Sequence, residues 1–562
     1  MSASDKKKLR KEQTAAATTE KQRTEQKQQK KLKAYTLTFI IAMVLVVAIF
    51  LGTVLSTPVV TLLKKSTTSL TINDHKIDAV ELNYFYIDAI SDFVNQFSDY
   101  GDYASMYMQM STGLNPAKAL DSQVFNSTTG ETWADYFTDA AIANAKWFYA
   151  LYDDAMANGF TLSKEDQAYL DQAEDYLDLY AAFAGAPNAK TYLRSIYGPN
   201  ASIKSYLAYN ELTTVAQAYA AEYVNGLEFT DEDFREHEKD KYGEYSSYSW
   251  LSYYVKVNDY LEGGTTTKDE NGKETTTYSD EEKAAALAAA KADAEALLAS
   301  NAATKEELNA AINALEINKP EEDDEDSDET KVEAAEYTNV LYSNITLNED
   351  GVKWLTDSER ENGNLTYIEN TTGTDENKTT VGFYVLLWTG KNDNLMSIGT
   401  VRHLLVEWEI DKDKKEPSQE QKDAAKAEAE KLLNTFREGD QSEEAFIALL
   451  KTNSDDKDAT TGAVNNEGLY SGITPDSGYV QAFKDWATAD HEKGDVEIIE
   501  TEYGYHIMYY VEAAELNYRD TMINNVMIND AYNTWQEGLL EKATVTEGNL
   551  KYVDTDYVIA AN

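Results

Sequence analysis

The sequence predicts an α+β multidomain chain with a single N-terminal transmembrane helix, a mostly helical body and two copies of one small α+β domain, the first degenerate. Three observations predict it. Residues 34–60 are apolar and uncharged, residues 70–245 carry apolar side chains at helical spacing, and one order of strands and helices occurs twice, over 246–390 and 396–513. The 562 residues also exceed what one hydrophobic core holds, roughly 250–300 residues.

Residues 1–33 hold eleven Lys or Arg against four acids and almost no apolar residues, the composition of a disordered tail. Ala34–Val60 is long enough, at about 1.5 Å per residue, to cross a ~30 Å hydrocarbon core. The basic flank precedes it, so the tail is expected in the cytoplasm and the bulk of the chain outside. The run exceeds a signal-peptide core, and Leu51–Ser56 is a poor cleavage site, so the anchor reads as uncleaved. An acidic, cysteine-free remainder is compatible with the outer face of a bacterial cell membrane.

Composition narrows the chemistry. The chain has no cysteine, which excludes disulfides, thiol nucleophiles and zinc-thiolate sites. A net charge of -49 argues against nucleic acid, whose phosphates need clustered Lys and Arg.

Leu70–Asp78 reads as a β-hairpin turning at Asn73-Asp74, followed by a helix from about Val80. In the body, Trp133, Phe137, Ala141, Ala145 and Phe148 keep helical spacing, as do Tyr169, Ala173, Leu177, Tyr180 and Phe183. Its many tyrosines fit either the edge of a core or a groove for unfolded polypeptide.

Then come a strand over Trp250–Val257, a polar Gly/Thr loop over 263–277, helices over Ser279–Ser300 and Thr304–Leu315, and an acidic run, 321–329. That run reads as a solvated loop and lacks the ordered spacing of a calcium loop. Lys353-Trp354-Leu355-Thr356 and Gly363–Glu369 parallel Asp485-Trp486-Ala487-Thr488 and Gly494–Glu500. Val381-Gly382-Phe383-Tyr384 parallels Tyr503-Gly504-Tyr505-His506. Internal repetition of this kind points to duplication, with Tyr384 standing where the second copy has His506.

In the second copy Arg402–Trp408 alternates as a strand, with His403, Leu405 and Glu407 on one face. Ala425, Ala429, Leu432, Leu433 and Phe436 form one helix stripe, and Ser442 opens a second helix carrying Phe446, Leu449 and Leu450. A loop with Asp455-Asp456, a turn-rich segment to Tyr479, a helix around Phe483 and Trp486, and two strands complete it. His506, Met508 and Tyr510 share a face of the last strand. His75, His237 and His491 stand in polar or turn contexts. No third ligand accompanies the other two histidines at a metal-site spacing, so no zinc and no other metal is expected.

With His403 on a first strand and Thr501-x-x-Gly504-x-His506 a hundred residues later, the second copy resembles the parvulin-type, PpiC-type peptidyl-prolyl cis–trans isomerases. The hairpin leading into a Tyr-rich helical body resembles the PrsA/SurA-type extracytoplasmic foldases. The resemblance implies that His403, Asp456 (or Asp455, one residue earlier), Thr501 and His506 are the catalytic residues. It implies Leu469, Tyr479, Phe483 and Met508 as substrate-binding residues for the proline ring. Asn466-Glu467-Gly468-Leu469-Tyr470 departs from the usual Gly-Gly-x-Leu-Gly, and Tyr479 replaces a common Met. The charged loop 409–416 is of mixed sign and does not suggest phosphate selectivity. The resemblance further implies that 514–562, with a helix over Leu516–Leu540, returns to the body at 70–245. By the same resemblance the partners are X-Pro segments of unfolded or partly folded exported polypeptides. No cofactor is expected, because rotation about X-Pro makes and breaks no bond; it must only overcome the amide-resonance barrier of ~18–20 kcal/mol.

Overall fold

The computed structural model describes residues 64–239, 241, 243–268, 273–319, 331–374, 377–410 and 416–559. The basic tail at 1–33, the anchor read at 34–60, the acidic run at 321–329 and the centre of the charged loop at 411–415 lie outside the described residues. Among the described residues no helix is long and apolar enough to cross a membrane. The chain forms two units, one from residues up to Glu228 together with those from Ile528 onward, the other from Phe229 to Met527.

The first unit starts with the hairpin β1 (Thr68–Ile72) and β2 (His75–Asp78), whose turn holds Asn73 at φ 51°. Asn tolerates this left-handed geometry better than most residues. The Asp78 carboxylate then accepts from the Val80 and Glu81 amides at 2.9 Å each, capping α1 (Ala79–Asn95). There follow α2 (Ala104–Thr112), α3 (Trp133–Ala157), α4 (Lys164–Asp171), α5 (Ala173–Phe183), α6 (Ala189–Tyr197) and α7 (Ile203–Gly226).

A reciprocal Thr132–Asp135 capping box opens α3, and Trp133, Phe137, Ala141 and Ala145 are buried along it as their spacing predicts. The single stripe read from Tyr169 to Phe183 is instead broken. Gln172 leaves helical geometry (φ -100°, ψ 2°), so Ala173 and Leu177 are buried while Tyr169 and Phe183 are 47% and 61% exposed. Many of the tyrosines fill the core: Tyr84 stacks on Tyr209 at 5.1 Å and meets Tyr197 edge-on at 4.8 Å.

Helix α8 (Asp231–Lys239) belongs to the second unit, where Phe234 and Tyr245 pack on Ile523. The second unit contains two four-stranded antiparallel sheets. The first uses β3 (Ser247–Lys256), then an exposed threonine hairpin β4 (Thr265–Lys268) and β5 (Glu274–Thr277) where the sequence reads as loop. Helices α9 (Asp280–Ala299) and α10 (Lys305–Ala314), strand β6 (Ala335–Leu341), helix α11 (Glu349–Leu355), and strands β7 (Leu365–Thr372) and β8 (Thr379–Asn392) follow. Its order is β6-β3-β8-β7.

The second sheet uses β9 (Gly399–Glu407), α12 (Gln419–Glu438), α13 (Glu443–Asn453), β10 (Leu469–Ile473), α14 (Gln481–Thr488), β11 (Val496–Glu500) and β12 (Gly504–Ala513), ordered β10-β9-β12-β11. Apart from the separate β4–β5 hairpin, the order of elements repeats that of the first sheet. Strands β6 and β10 were not anticipated; each is a short or exposed edge strand, so neither shows clean alternation. One face of the second sheet is covered by α12 and α13 through Ala429, Leu432, Phe436, Phe446 and Leu450 against Leu404, Val406 and Ile507. The other carries α14 through Phe483, Trp486 and Ala487 against Val401, Met508 and Tyr510.

Helix α15 (Tyr518–Lys542) follows, its residues to Met527 in the second unit and those from Ile528 in the first. Strand β13 (Val545–Glu547) then pairs antiparallel with β1, Leu70 opposite Glu547 and Ile72 opposite Val545, to make a three-stranded sheet. Trp535 of α15 stacks on Tyr223 of α7 at 4.0 Å and 11°.

Candidate active site

The period-2 rule of strands decides what meets on the face beneath α14. His403 of β9 stands opposite Met508 of β12, and His506 stands opposite Leu405, so both imidazoles emerge on this face one step apart. Their rings stack at 5.1 Å and 21°, with Nδ1 to Nδ1 at 2.9 Å. His403 Nε2 lies 2.9 Å from Asp456 Oδ2, and His506 Nε2 lies 2.9 Å from Thr501 Oγ1. The structure thus brings together all four residues expected to be catalytic.

Of the two loop carboxylates, Asp456 meets the histidine. Asp455 turns to the backbone of β9, its carboxylate accepting from the Glu407 amide at 3.0 Å and its own amide donating to Leu405 O at 2.9 Å. Fully buried Ser454 accepts from the Leu405 amide at 3.1 Å and the Asp456 amide at 3.3 Å, which fixes that register. Residues 454–456 therefore hold one carboxylate on the strand and the next on the histidine.

The protonation pattern follows from which groups can donate. The hydrogen bond from His403 is the largest cause holding the Asp456 carboxyl below its ordinary range, against the opposing effect of burial, so Asp456 is an acceptor and His403 Nε2 carries a proton. Burial, then the neighbouring His403, pushes His506 from 6.5 down to about 3, and Asp456 pulls weakly the other way. Every bond is then satisfied when Thr501 donates to His506 Nε2 and His506 Nδ1–H donates to His403 Nδ1. His403 Nε2–H then donates to Asp456.

This has a measurable consequence. A histidine whose folded pKa is depressed stabilises the fold fully above the unfolded value of 6.5, and that contribution is lost as pH falls toward 3. Asp456, also lowered, adds a loss of the same sign at still lower pH. Urea midpoints of the wild type should drop between pH 7.5 and pH 4.5, and His506→Asn should flatten that drop.

Above the network lies an aromatic wall. Phe483 stands edge-on to His403 at 5.4 Å and to His506 at 5.9 Å, and Tyr479 lies 5.5 Å from Phe483 with 42% of its surface exposed. Met508 is fully buried beneath and supports the floor without reaching its surface. Leu469, expected on the wall, is not there. It pairs with Arg402 and packs on the opposite face beside α13. Its neighbour Tyr470 takes the place, pairing with Val401 and meeting His403 edge-on at 4.9 Å, Phe483 at 5.7 Å and Tyr479 at 5.4 Å.

The cause is local. Asn466, Glu467 and Gly468 are successive left-handed residues (φ 47°, 53° and 66°), and a Cβ on Gly468 would sit 2.8 Å from His403 O. Arg402 holds this turn by donating from Nη1 to Glu467 O at 2.7 Å while its Nε donates to Glu443 at 2.9 Å. Tyr470 is the wall residue that the sequence does not single out; its only mark there is an aromatic ring next to Leu469.

The first sheet carries none of this. Counting from Gly382 opposite Lys256, as Gly504 is opposite Glu407, Ser252 takes the place of His403 and Tyr384 that of His506. Asn370, following Glu369 as Thr501 follows Glu500, donates to the Tyr254 hydroxyl at 3.0 Å. The Tyr254 ring lies over Gly382 and against Tyr384 at 4.7 Å, filling the space. Among the described residues no group of three or more His, Asp or Glu side chains is arranged to hold a metal ion.

No curated protein matches the chain. Residues 387–514, which hold the whole second sheet and both histidines, match the family model of the PPIC-type PPIASE domain, so the chain carries a domain of the parvulin, PpiC-type peptidyl-prolyl cis–trans isomerase family.

Proposed function

We propose that this protein is a membrane-anchored, extracytoplasmic peptidyl-prolyl cis–trans isomerase and chaperone of the PrsA/SurA type, acting on X-Pro segments of exported polypeptides that are unfolded or partly folded. The observation that carries the catalytic part is the unbroken chain Thr501–His506–His403–Asp456 beneath an aromatic wall.

A planar amide is charge-separated by resonance, and a twisted one is not. A dry, aromatic site over a hydrogen-bonded imidazole pair therefore favours the twisted state relative to the planar one. No proton needs to move. The network keeps the two rings fixed and leaves no buried ring nitrogen unpaired, so the floor does not reorganise during rotation. Lowering the barrier by roughly 5–7 kcal/mol would accelerate isomerisation about 10⁴–10⁵-fold.

The chaperone part is supported by the helical unit, where Tyr100, Tyr103, Met106 and Met110 leave large apolar surfaces exposed around α2. The anchor is supported by the uncharged run at 34–60 after a basic tail. Residues 246–390 are best read as a degenerate parvulin-like copy without catalysis, given Ser252 and Tyr384 in the histidine positions.

A protease-coupled assay with a prolyl tetrapeptide tests the enzyme: catalytic amounts of the chain should abolish the slow cis phase of tens of seconds, and an unchanged phase would reject it. Aggregation suppression by a His403→Ala/His506→Ala chain separates the chaperone from the isomerase. Protease accessibility on intact cells tests the orientation.

A further inference from the structure

We propose that the Tyr470 hydroxyl is a positioning group of the isomerase site, the second donor that fixes the Asp456 carboxylate on His403, while its ring forms the pocket wall. This rests on the isomerase reading above. Tyr470 Oη donates to Asp456 Oδ2 at 3.0 Å, the same oxygen that accepts from His403 Nε2 at 2.9 Å. The carboxylate is half-open to water, so one hydrogen bond would leave it free to rotate about its side-chain torsions; two donors converging on one oxygen hold it.

The ring that delivers the hydroxyl is itself clamped. It is edge-on to His403, Phe483 and Tyr479 at once, and its register is set by the three left-handed residues that precede β10. Burial first, and then the Asp456 charge, drive the Tyr470 pKa far up, so the phenol remains a donor throughout the working range. The titratable groups facing Asp456 are His403 from β9, Tyr470 from β10 and His506 from β12. Neighbouring Asp455 is turned to the Glu407 amide.

The first sheet shows what the position does without a carboxylate partner. Tyr337 of β6 stands at the register of Tyr470 and lies flat on Trp250, at 4.5 Å and 6°. An aromatic is common to both sheets at this point; its hydroxyl is tied to an acid only where the histidines are present.

Tyr470→Phe keeps the ring and removes the donor. Because the hydroxyl helps stabilise ionised Asp456, its loss raises the carboxyl pKa. The acid limb of the kcat/KM profile should therefore move to higher pH, with kcat falling about tenfold and KM unchanged. In an Asp456→Asn background the same change should have no further effect on the profile. Tyr470→Leu, which removes the ring as well, should also raise KM. A purely structural role predicts equal losses in both backgrounds and no shift of the acid limb, and that result overturns the proposal.

A second readout is independent of turnover. In protein labelled with ¹³Cγ-aspartate the Asp456 carboxyl resonance, assigned by its loss in Asp456→Asn, titrates directly, and its inflection should move upward in Tyr470→Phe. An inactive wild type would count against the isomerase reading while this titration still decides the role of Tyr470. An unmoved inflection refutes it.

Discussion

A His506→Ala protein is expected to isomerise a prolyl peptide about 100-fold more slowly than the parent, a loss of roughly 2.7 kcal/mol of transition-state stabilisation. The side chain makes two hydrogen bonds of 2.9 Å in a buried setting, to His403 and to Thr501. Its removal leaves His403 Nδ1 without its partner, so that Asp456 alone holds the ring, and deprives the Thr501 hydroxyl of its acceptor. The backbone of β12 is held on both sides, by β9 and β11, so the sheet itself survives. His403→Ala should cost at least as much, because His403 joins His506 to the carboxylate, while Thr501→Val should cost less. The measurement is kcat/KM in the protease-coupled assay, with circular dichroism to show retained fold. Rates within threefold of the parent for both histidine variants would remove the network from the mechanism.

The largest effect on stability is expected from Trp535→Ala. Its indole is stacked on Tyr223 and meets Trp147 edge-on at 6.1 Å and Tyr219 at 5.7 Å, joining α15 to α3 and α7. Truncating a buried Trp costs about 3–5 kcal/mol, and this half-buried one should cost about 2–3 kcal/mol. The urea midpoint of the helical unit should fall accordingly. Catalysis at 25 °C should be retained, since every residue of the site lies between 402 and 508, within the other unit. Unchanged stability would mean that the aromatic cluster does not hold the C-terminal segment.

Helices were the most legible part of the chain, because their stripes and caps are local. Ser279 with Glu282 and Ser418 with Gln421 each close a reciprocal capping box, and the Ala425–Phe436 stripe is buried throughout. The break at Gln172 was not legible, since neither Gly nor Pro marks it. Edge strands β6 and β10 were hidden because neither alternates: β6 is exposed along most of its length, and β10 has only five residues.

The site was legible where a motif fixes a residue on a strand or at its end, as for His403 and His506 on β9 and β12 and Thr501 just after β11. It was not legible where one residue of register decides. Leu469 and Tyr470 are adjacent, so in a strand they face opposite ways, and only the left-handed turn at 466–468 says which enters the site. Asp455 and Asp456 pose the same choice, and Ser454 settles it through contacts with β9 that no local pattern records.

The pairing of β1 with β13 joins Leu70 to Glu547 across the entire intervening chain. During synthesis the helical unit therefore stays incomplete, with β1 an open edge and the Tyr223 ring uncovered, until residues 528–547 have left the ribosome. The isomerase-bearing unit, contiguous from Phe229 to Met527, can finish first. Once it folds, it brings the two distant segments near each other and so shortens the loop that their pairing must close. A nascent chain stalled before residue 528 would thus carry a complete PpiC-type domain on an unfinished body, whose β1 edge lacks its partner strand.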